Sequence, residues 1–469
     1  MVIIGGTPAG AIAAQTAARL GARVAWLWQG TDLGHAHLQF QGWLWGTQRL
    51  VTAEATAAIL GIPSPALPET AWQAVQQWAA LIADLPRLPM TTALTVAGVD
   101  ILQGTGQVVG DRPLRVQVQD RTLSTRRLVL ALATVPPVPN IPGAETIPWL
   151  TPATLLTGAH PPASVVVMGQ QPEALALAQA LATWGSRVHL VSTAPTLLPQ
   201  EDPAVAQWLQ AQLTAVGVQL HLGMGVERLT VSPTGVLVSG SAGQIETAAT
   251  LLGTPPRPQI PGLNLARVGL GEAPPGLAVN SYLQSVIHPD IYACGGSLGG
   301  YDLPTLSAQE AAIAVENALF WHRRRVDYSR LPYSLLTQPP LGRVGLTEPQ
   351  ARRRYGEAIR IYTSHWDHQP VVHWRGEPTG FCKLIVQGDT LVGAHGVGPE
   401  APSLVASVAP LVGRRRGMVT LAQGAVPRHS PLVGLQAAAQ QWQGDRWQPG
   451  QWRRDWAENW CHWRRSQRG

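Results

Sequence analysis

Two glycine-rich turns have the residue types and spacing that suit the binding of a nucleotide. The first turn follows a short apolar run at residues 2–5 and precedes an Ala-rich helix predicted over 11–20; it reads Gly5-Gly6-Thr7-Pro8-Ala9-Gly10. Its first and third glycines fit the pattern in which the backbone and a helix N terminus approach a pyrophosphate. Thr7 replaces the middle glycine, so its hydroxyl either meets the phosphate or blocks it. The turn therefore predicts a dinucleotide cradle of altered shape.

Trp28 ends the next predicted strand, residues 23–28. Dinucleotide-binding units carry an acid at this point, and it holds the ribose hydroxyls. An indole cannot accept those protons, although it can stack on adenine. We therefore count Trp28 as a candidate cofactor-binding residue of changed chemistry.

The same order of strand, turn, helix and strand recurs over residues 163–192. The second turn keeps the first glycine and ends in alanine: Gly169-Gln170-Gln171-Pro172-Glu173-Ala174. Ser192 stands where an acid would select NAD by its 2′-hydroxyl. NAD use stays open for that reason, and the alternative is an NADP site with Arg187 or a neighbour on the phosphate. The repeat predicts two dinucleotide-type domains in one chain.

Cysteine and histidine spacing argues against a metal or disulfide centre. Cys294, Cys382 and Cys461 lie far apart, which excludes a disulfide framework and a cysteine zinc site and fits a reducing, cytoplasmic location. His35 and His37 would point to one side of an extended segment and supply two ligands of a zinc site. No third ligand is near, so we favour two polar loop histidines and predict no metal.

Composition sets the class of protein. A chain of 469 residues is too long for one core, and two to four domains are expected. The net charge is +6, with Lys383 as the only lysine. No basic run with interleaved aromatic residues occurs before the C-terminal tail, so we do not expect a nucleic-acid partner. No apolar stretch is long enough for a membrane span. Pro-rich crossovers at 127–143 and 249–262 mark domain edges, and alternating strands follow residue 326.

This order of elements resembles the class-I pyridine nucleotide–disulfide oxidoreductases, which include dihydrolipoamide dehydrogenase, glutathione reductase and mercuric reductase. The stretches that carry the resemblance are LLPQEDPAVAQWLQAQLTAVGVQL (197–220), IYACGG (291–296), VGLTEPQAR (344–352), TGFCKLIV (379–386) and VGAHGVGPEA (392–401). The resemblance implies an α/β fold with two Rossmann-like domains and a C-terminal α+β dimerisation domain. It implies an FAD-type domain at 1–148 and 262–325, an NAD(P)-type domain at 149–261, a dimerisation domain at 326–440, and a tail at 441–469.

The resemblance also shows which functional positions differ in this chain. The second flavin turn has Gly295-Gly296 where the family has Gly-Asp, so the carboxylate for the ribityl chain is missing. The two thiols of the family's redox disulfide align near His37 and Gly42. Thiol–disulfide exchange needs a thiolate, so reduction of lipoamide, glutathione or mercury by the family mechanism is not expected. The family's catalytic histidine aligns with His429, but Gly434 stands where its orienting glutamate would be.

The last 29 residues are rich in tryptophan and arginine. Trp452, Trp456, Trp460 and Trp463 lie on one face of a predicted helix, with arginines beside them. Such a helix can lie on an anionic membrane surface, and the alternative that we favour is packing on the protein's own body or on a dimer mate. Trp43 and Trp45, near the aligned disulfide, are candidates to fill volume that a cofactor occupies in relatives.

Two functions from different classes follow. The first is an FAD-dependent oxidoreductase that passes electrons from NAD(P)H through flavin to another acceptor, such as a quinone. The second is an inactive homodimeric scaffold of the same fold. The retained Gly5, Gly6 and Gly10 favour the first, and the changes at Thr7, Trp28, Gln171, Gly42, Gly296 and Gly434 favour the second.

Overall fold

The computed structural model describes residues 1–28, 35–63, 70–271, 276–300, 303–374, 376–377, 379–430, 432–448 and 450–467. The chain forms two compact units. The first unit comprises Met1–Pro199 and Gln207–Asp327, and the second comprises Gln200–Ala206 and Tyr328–Gly469.

Strands and helices are numbered in chain order. Strands β1 to β23 are Val2–Ile4, Ala25–Trp28, Asp100–Gln103, Gln107–Gly110, Leu114–Val118, Arg121–Thr125, Leu128–Leu130, Thr134–Val135, Trp149–Leu150, Ser164–Met168, Arg187–Ser192, Gln219–Leu222, Val226–Ser232, Gly235–Gly240, Gly243–Thr247, Ala249–Leu252, Arg257–Pro258, Ile291–Ala293, Tyr333–Leu335, Leu341–Gly345, Ile359–His365, Phe381–Gln387 and Thr390–Val397. Helices α1 to α14 are Pro8–Arg19, His35–Ile59, Ala71–Asp84, Arg87–Val96, Pro152–Leu155, Pro172–Thr183, Pro203–Ala215, Pro304–Leu319, Glu348–Tyr355, Pro370–Trp374, Ala401–Val408, Gly417–Gln423, Leu432–Asp445 and Trp452–Ser466.

Two five-stranded parallel sheets form the frame of the first unit. Their strand orders are β18-β7-β1-β2-β3 and β12-β11-β10-β16-β9. Strands β1, β7 and β10 are buried along their whole length, which fits parallel strands covered on both faces. The glycine turns follow β1 and β10, the central strands, so both open at the carboxyl edge of a sheet.

Helices α1 and α8 pack against each other on the first sheet. The buried face of α1 consists of small residues, among them Ala13, Ala14 and Ala17, which let the helix lie close to its neighbours. The helix begins at Pro8, earlier than predicted, because Thr7 caps its N terminus and proline is favoured in a first turn.

An antiparallel sheet forms the core of the second unit. Its strand order is β19-β20-β23-β22-β21, and α11 and α13 pack against it. The strands predicted after residue 326 are therefore present, and Trp366, Leu384 and Trp442 lie in the core that they share with the helices.

Candidate functional site

The first unit contains a cavity of about 550 Å³. Much of its lining comes from the turns after β1, β7, β10 and β16, with parts of α2 and α5 and the start of α8. The lining includes residues 5–9, 132–136, 151–153, 171–174 and 251–254, with His37, Phe40, Leu177, Leu303, Pro304 and Ser307. Open α/β sheets bind ligands outside the carboxyl ends of their strands. A volume of roughly 300–1,000 Å³ is usual for cofactor sites, so this cavity has the place and size of one.

The turn after β1 keeps the shape of a phosphate cradle. Gly5 has φ +135°, and a Cβ atom on it would overlap the carbonyl of Ala131. The Thr7 hydroxyl donates to the Ala131 carbonyl over 2.8 Å and accepts the Gly10 N–H over 3.2 Å. The hydroxyl is thus engaged by the turn after β7 and by the start of α1. Pro8 has no N–H and the Gly10 N–H is bonded to Thr7, so the Ala9 N–H is the group of the first turn of α1 that is left for an anion. The residues present fit the pyrophosphate of a dinucleotide.

Gly10 is held from the other side by Trp26. The indole N–H of Trp26 donates to the Gly5 carbonyl over 2.8 Å, and a Cβ atom on Gly10 would lie 3.0 Å from that nitrogen. The Trp28 ring centroid lies 5.7 Å from that of Trp26, with the two rings tilted by 31°, and Trp28 packs on the core of the first sheet. Trp28 does not line the cavity, so it offers no acceptor to a ribose there.

The second flavin turn is buried beneath the strand ends. Gly295 and Gly296 are not in the cavity lining, and the Gly295 N–H donates to the Glu310 carboxylate over 2.7 Å. Glu310 is 6% exposed and comes from α8. Sequence reasoning missed this carboxylate; its signal was a glutamate on the mostly apolar buried face of the helix predicted over 305–325.

His35 and His37 lie at the start of α2, so their prediction as an extended pair is wrong. His35 Nε2 lies 3.3 Å from the Asp84 carboxylate, whereas His37 Nδ1 lies 3.2 Å from the Glu173 carboxylate. Residues two apart on a helix point in different directions, which is why the two rings have separate partners. Within the described residues, no group of three or more His, Cys, Asp or Glu side chains could hold a metal ion.

Gly42, at the second aligned thiol position, is a packing residue between two helices. A Cβ atom on Gly42 would lie 3.3 Å from the Cα atom of Ala79 in α3, and one on Gly46 would lie 2.8 Å from Val75. The two glycines let α2 and α3 pack closely. A side chain at position 42 would push α3 away.

The tryptophans near that position do not fill the cavity, contrary to the hypothesis. Trp43 is fully buried, with its ring centroid 5.3 Å from that of Trp72, which in turn lies 5.4 Å from Trp184. Trp45 is 45% exposed. Neither Trp43 nor Trp45 lines the cavity, because Trp43 packs against Trp72 of α3, whereas Trp45 is partly exposed to solvent.

The turn after β10 is also closely packed. A Cβ atom on Gly169 would overlap the Gly253 carbonyl. A Cβ atom on Gly253 would lie 2.8 Å from the side chain of Ala174, so glycine at position 253 leaves room for that alanine. Gln171 is the N-cap residue of α6, and its N–H donates to the Gly253 carbonyl over 3.3 Å. Gln171 and Ala174 line the cavity, so alanine at the third glycine position is compatible with this turn.

Ser192 and Arg187, the residues considered for the choice between NAD and NADP, place no charged group beside a nucleotide ribose. The Ser192 hydroxyl is buried and accepts the Ala194 N–H over 3.2 Å. Arg187 begins β11, whereas Gly169 follows the end of the neighbouring strand β10. Five residues of strand separate the two edges by about 16 Å, so Arg187 is not placed to bind a 2′-phosphate.

In the second unit, His429 and Gly434 do not form an acid–base pair. His429 is exposed, with its ring 5.5 Å from that of Trp374. Gly434 lies against the buried indole of Trp366, and a Cβ atom on Gly434 would overlap that ring. Gly380 and Gly398 face the same indole, whose N–H donates to the Val397 carbonyl. The position of the family's glutamate is therefore closed by a tryptophan.

The same unit contains a buried ion cluster that sequence reasoning missed. Lys383 Nζ lies 2.7 Å from both the Asp202 and Glu348 carboxylates, and Asp202 is fully buried. Burial acts to raise the pKa of Asp202, but His395, Lys383 and the Glu348 N–H outweigh it, and the pKa is lowered. Burial lowers the pKa of His395 to about 4. Because Asp202 and Lys383 are 181 residues apart, no local pattern indicates their pairing.

The tail forms α14, and no residue of this helix is buried. Trp452, Trp456, Trp460 and Trp463 are 69%, 60%, 46% and 52% exposed. The favoured expectation was packing on the protein's own body or on a dimer mate. The stripe does not pack on the described part of its own chain, so a dimer mate and a membrane surface remain. Within the described part of the chain, no helix has the length and apolar content of a membrane span.

Two family models match the chain in the order that the sequence predicts. The model for pyridine nucleotide-disulphide oxidoreductases matches residues 1–317, and the model for the dimerisation domain of the same proteins matches residues 331–423. The chain belongs to the pyridine nucleotide-disulphide oxidoreductase family. Members of this family are oxidoreductases that use FAD and a pyridine nucleotide, and the dimerisation domain indicates a homodimer.

Named relatives in this oxidoreductase family have different substrates. A mercuric reductase from Staphylococcus aureus is 27% identical over 340 residues, 71% of this chain and 61% of that protein's length. A dihydrolipoyl dehydrogenase from Bacillus subtilis is 25% identical over 425 residues, 88% of this chain and 92% of that protein. The relatives support the family, and their own reactions differ.

Solved structures of the oxidoreductase family share the fold. LpdA from Mycobacterium tuberculosis superposes with a TM-score of 0.82 at 23% identity, covering 94% of this chain and 99% of that one. The HOCl-induced flavoprotein disulfide reductase RclA from Escherichia coli gives 0.78 at 21% identity, covering 94% and 99%. The predicted α/β fold with a C-terminal dimerisation domain is confirmed.

Proposed function

We propose that this protein is an FAD-dependent oxidoreductase that takes electrons from NADH or NADPH and passes them to an acceptor other than a disulfide. The observation that carries the proposal is the cavity bordered by both glycine turns. Gly5, Gly6, Thr7, Pro8 and Ala9 line it from one sheet, and Gln171 and Ala174 line it from the other. FAD supplies the redox chemistry when bound, and the chain supplies position and surroundings.

We assign cofactor-binding roles to the residues of the two turns at the cavity. Gly5 to Ala9 would hold the FAD pyrophosphate, with Gly10 shaping the turn, and Gly169, Gln171 and Ala174 would form the pyridine-nucleotide turn. Trp28, Gly295 and Gly296 receive no contact role because they do not line the cavity. We keep the FAD-type domain at 1–148 and 262–325, the NAD(P)-type domain at 149–261 and the dimerisation domain at 326–440.

Disulfide chemistry is left out of the proposal because of two residues. His37 and Gly42 lie near the aligned thiol positions and neither is a cysteine. A Cβ atom on Gly42 would lie 3.3 Å from the Cα atom of Ala79, so a side chain there requires a small shift of α3. His429 is likewise left out as a base, since Trp366 fills the position of its orienting carboxylate.

A panel of electron acceptors tests the proposal. The purified protein with NADH or NADPH is expected to reduce menadione and ferricyanide, and to give no turnover with lipoamide, oxidised glutathione or Hg²⁺ above the rate with free FAD. Turnover of lipoamide, oxidised glutathione or Hg²⁺ would contradict it. Failure with every acceptor, together with failure to bind FAD, would favour the inactive scaffold, which the six altered positions support.

We further propose that α14 is a peripheral contact with an anionic membrane. The support is its exposed tryptophan stripe together with Arg453, Arg454, Arg464 and Arg465. The full chain is expected to float with liposomes containing anionic lipid and not with neutral ones, and deletion of residues 441–469 is expected to abolish flotation. Equal flotation of both proteins would contradict the proposal. If the deletion variant is a monomer while the full chain is a dimer, the tryptophan stripe packs on the dimer mate instead.

A further inference from the structure

We propose that His37 is the proton donor to the electron acceptor in the cavity, that Glu173 positions it, and that the acceptor is a quinone-like compound that must gain protons with its electrons. The inference rests on the proposed function, because it needs a hydride from NAD(P)H to reach the acceptor. His37, which lies near the position where the resemblance places a thiol of the family, receives a role in this way.

Two elements of the first unit bring the pair together at the cavity. His37 comes from α2 and Glu173 from the first turn of α6, and both line the cavity. His37 Nδ1 lies 3.2 Å from the Glu173 carboxylate, and His37 Nε2 lies 2.7 Å from the Gln41 amide. A carboxylate accepts only, so Nδ1 carries the proton, and neutral Nε2 accepts from the amide. The ring is fixed in one orientation and one tautomer.

Gln41 is compatible with both charge states of the ring. Its amide has a donor and an acceptor end, so it can donate to Nε2 of the neutral ring and, after a flip, accept from Nε2–H of the imidazolium. Glu173 stabilises the imidazolium by its charge. Its side chain is 48% exposed, which gives the pair a path to solvent for reprotonation.

The surroundings single out this pair. Among the described lining residues, Glu173 is the only carboxylate, and no lysine or arginine is present. The charged groups on the elements packed against this end of α2 are Glu173 on α6 and the Asp84 partner of His35 on α3, while α5 has no ionisable residue. Much of the remaining lining is apolar, including Phe40 and Leu177, which suits an uncharged ring compound.

One acid is enough to balance the electrons and protons of quinone reduction. Reduction of a quinone to a hydroquinone takes up two electrons and two protons. A hydride that originates from NAD(P)H delivers both electrons and one proton. The quinone oxygen takes the place of the Gln41 amide as the partner of Nε2–H, and the imidazolium of His37 gives it the second proton. His37 is left neutral and is then reprotonated from solvent beside Glu173.

Two acceptors separate this role from the rest of the reaction. Menadione needs protons for its reduction, and ferricyanide accepts electrons without them. His37→Gln is expected to lower kcat with menadione by at least ~10-fold, as loss of a general acid does, and to leave ferricyanide reduction within ~2-fold. His35→Gln is the matched control, because His35 lies outside the cavity lining, and it is expected to change neither rate.

These rates separate a failure of the His37 role from a failure of the proposed function. If the wild-type protein reduces both acceptors and His37→Gln lowers both rates equally or neither, the role of His37 is overturned and the proposed function stands. If the wild-type protein reduces neither acceptor, the proposed function fails and this inference fails with it.

A spectroscopic measurement tests the positioning role without turnover. In ¹⁵N-histidine spectra of the purified protein, with the His37 signals assigned by their loss in His37→Gln, His37 is expected to show the Nδ1–H tautomer. Glu173→Gln retains an acceptor and is expected to keep that tautomer, whereas Glu173→Ala is expected to lose it. An unchanged tautomer in Glu173→Ala would overturn the positioning role.

Discussion

Gly434 lies directly against the indole of Trp366, so that a Cβ atom at position 434 would overlap the ring. The aligned glutamate of the family cannot be restored here without moving a tryptophan that is 2% exposed and hydrogen-bonded to Val397. The change at position 434 is therefore built into the core of the second unit.

This relationship predicts the effect of Gly434→Glu. Overpacking of a core by a few atoms costs about 1–3 kcal/mol, and burial of a carboxylate adds to it, so we expect the melting temperature to fall by roughly 5 °C or more. Gly444→Glu is the control, since Gly444 lies in the same helix with nothing within 4 Å. Equal melting temperatures for the two variants would contradict the packing described.

The only lysine of the chain is expected to be a stability residue. Lys383→Met leaves Asp202 buried without its cation, and breaking a buried pair in this way costs about 3–5 kcal/mol. Arg352→Met removes a half-exposed partner of the same Glu348 and is expected to cost under ~1 kcal/mol. Urea unfolding of both variants measures the difference, and comparable losses would argue against a special role for Lys383.

The stability of the second unit is expected to fall between pH 6.5 and about 4 through His395. The folded pKa of His395 is lowered by burial to about 4 from 6.5, so in this window the unfolded chain binds a proton that the folded chain does not. Acidification therefore favours unfolding, by on the order of 3 kcal/mol once pH 4 is reached.

His395→Asn is expected to flatten this part of the stability profile. Asp202, Arg343 and Lys383 act on the same imidazole, and they are unchanged in the variant. His368→Gln, at a histidine side chain that is 75% exposed, is expected to keep the wild-type slope. Denaturant titrations from pH 7 to pH 4 give the result, and an unaltered slope in His395→Asn would assign the pH dependence to other groups.

Thiol titration is expected to find one reactive cysteine in the native protein and three in denaturant. Cys461 is exposed, whereas Cys294 and Cys382 are 0% exposed. Burial also raises the pKa of Cys382 to about 12, so its thiolate is absent at neutral pH. Treatment with NADH or NADPH is expected to leave the count unchanged; an increase of two thiols would reveal a redox disulfide.

Local patterns predicted the parts of the fold that depend on local geometry. Gly5 and Gly169 both have positive φ and close contact with a neighbouring carbonyl, which is what a strand–turn–helix pattern encodes. The start of α2 was mispredicted because that helix is fixed by distant residues: Gly42 rests on Ala79 in another helix. No periodicity in the sequence reports such a contact.

The site was predicted less completely than the fold for the same reason. The sequence left open whether the Thr7 hydroxyl meets a phosphate or blocks it. The structure adds a bond from this hydroxyl to Ala131, 124 residues away, which no local pattern indicates. The pairing of His37 with Glu173 joins two motifs that the sequence places in separate domains. Glu310 was missed because its partner, the Gly295 N–H, lies in a different element 15 residues earlier.

The visible absorption spectrum of the purified protein, recorded anaerobically before and after addition of NADH and then of NADPH, shows whether the protein holds FAD and accepts electrons from a pyridine nucleotide. We expect a flavin spectrum that bleaches with at least one of the two nucleotides. A flavin spectrum unaffected by both would contradict the use of a pyridine nucleotide, and a protein that holds no flavin even after incubation with excess FAD would contradict the oxidoreductase itself.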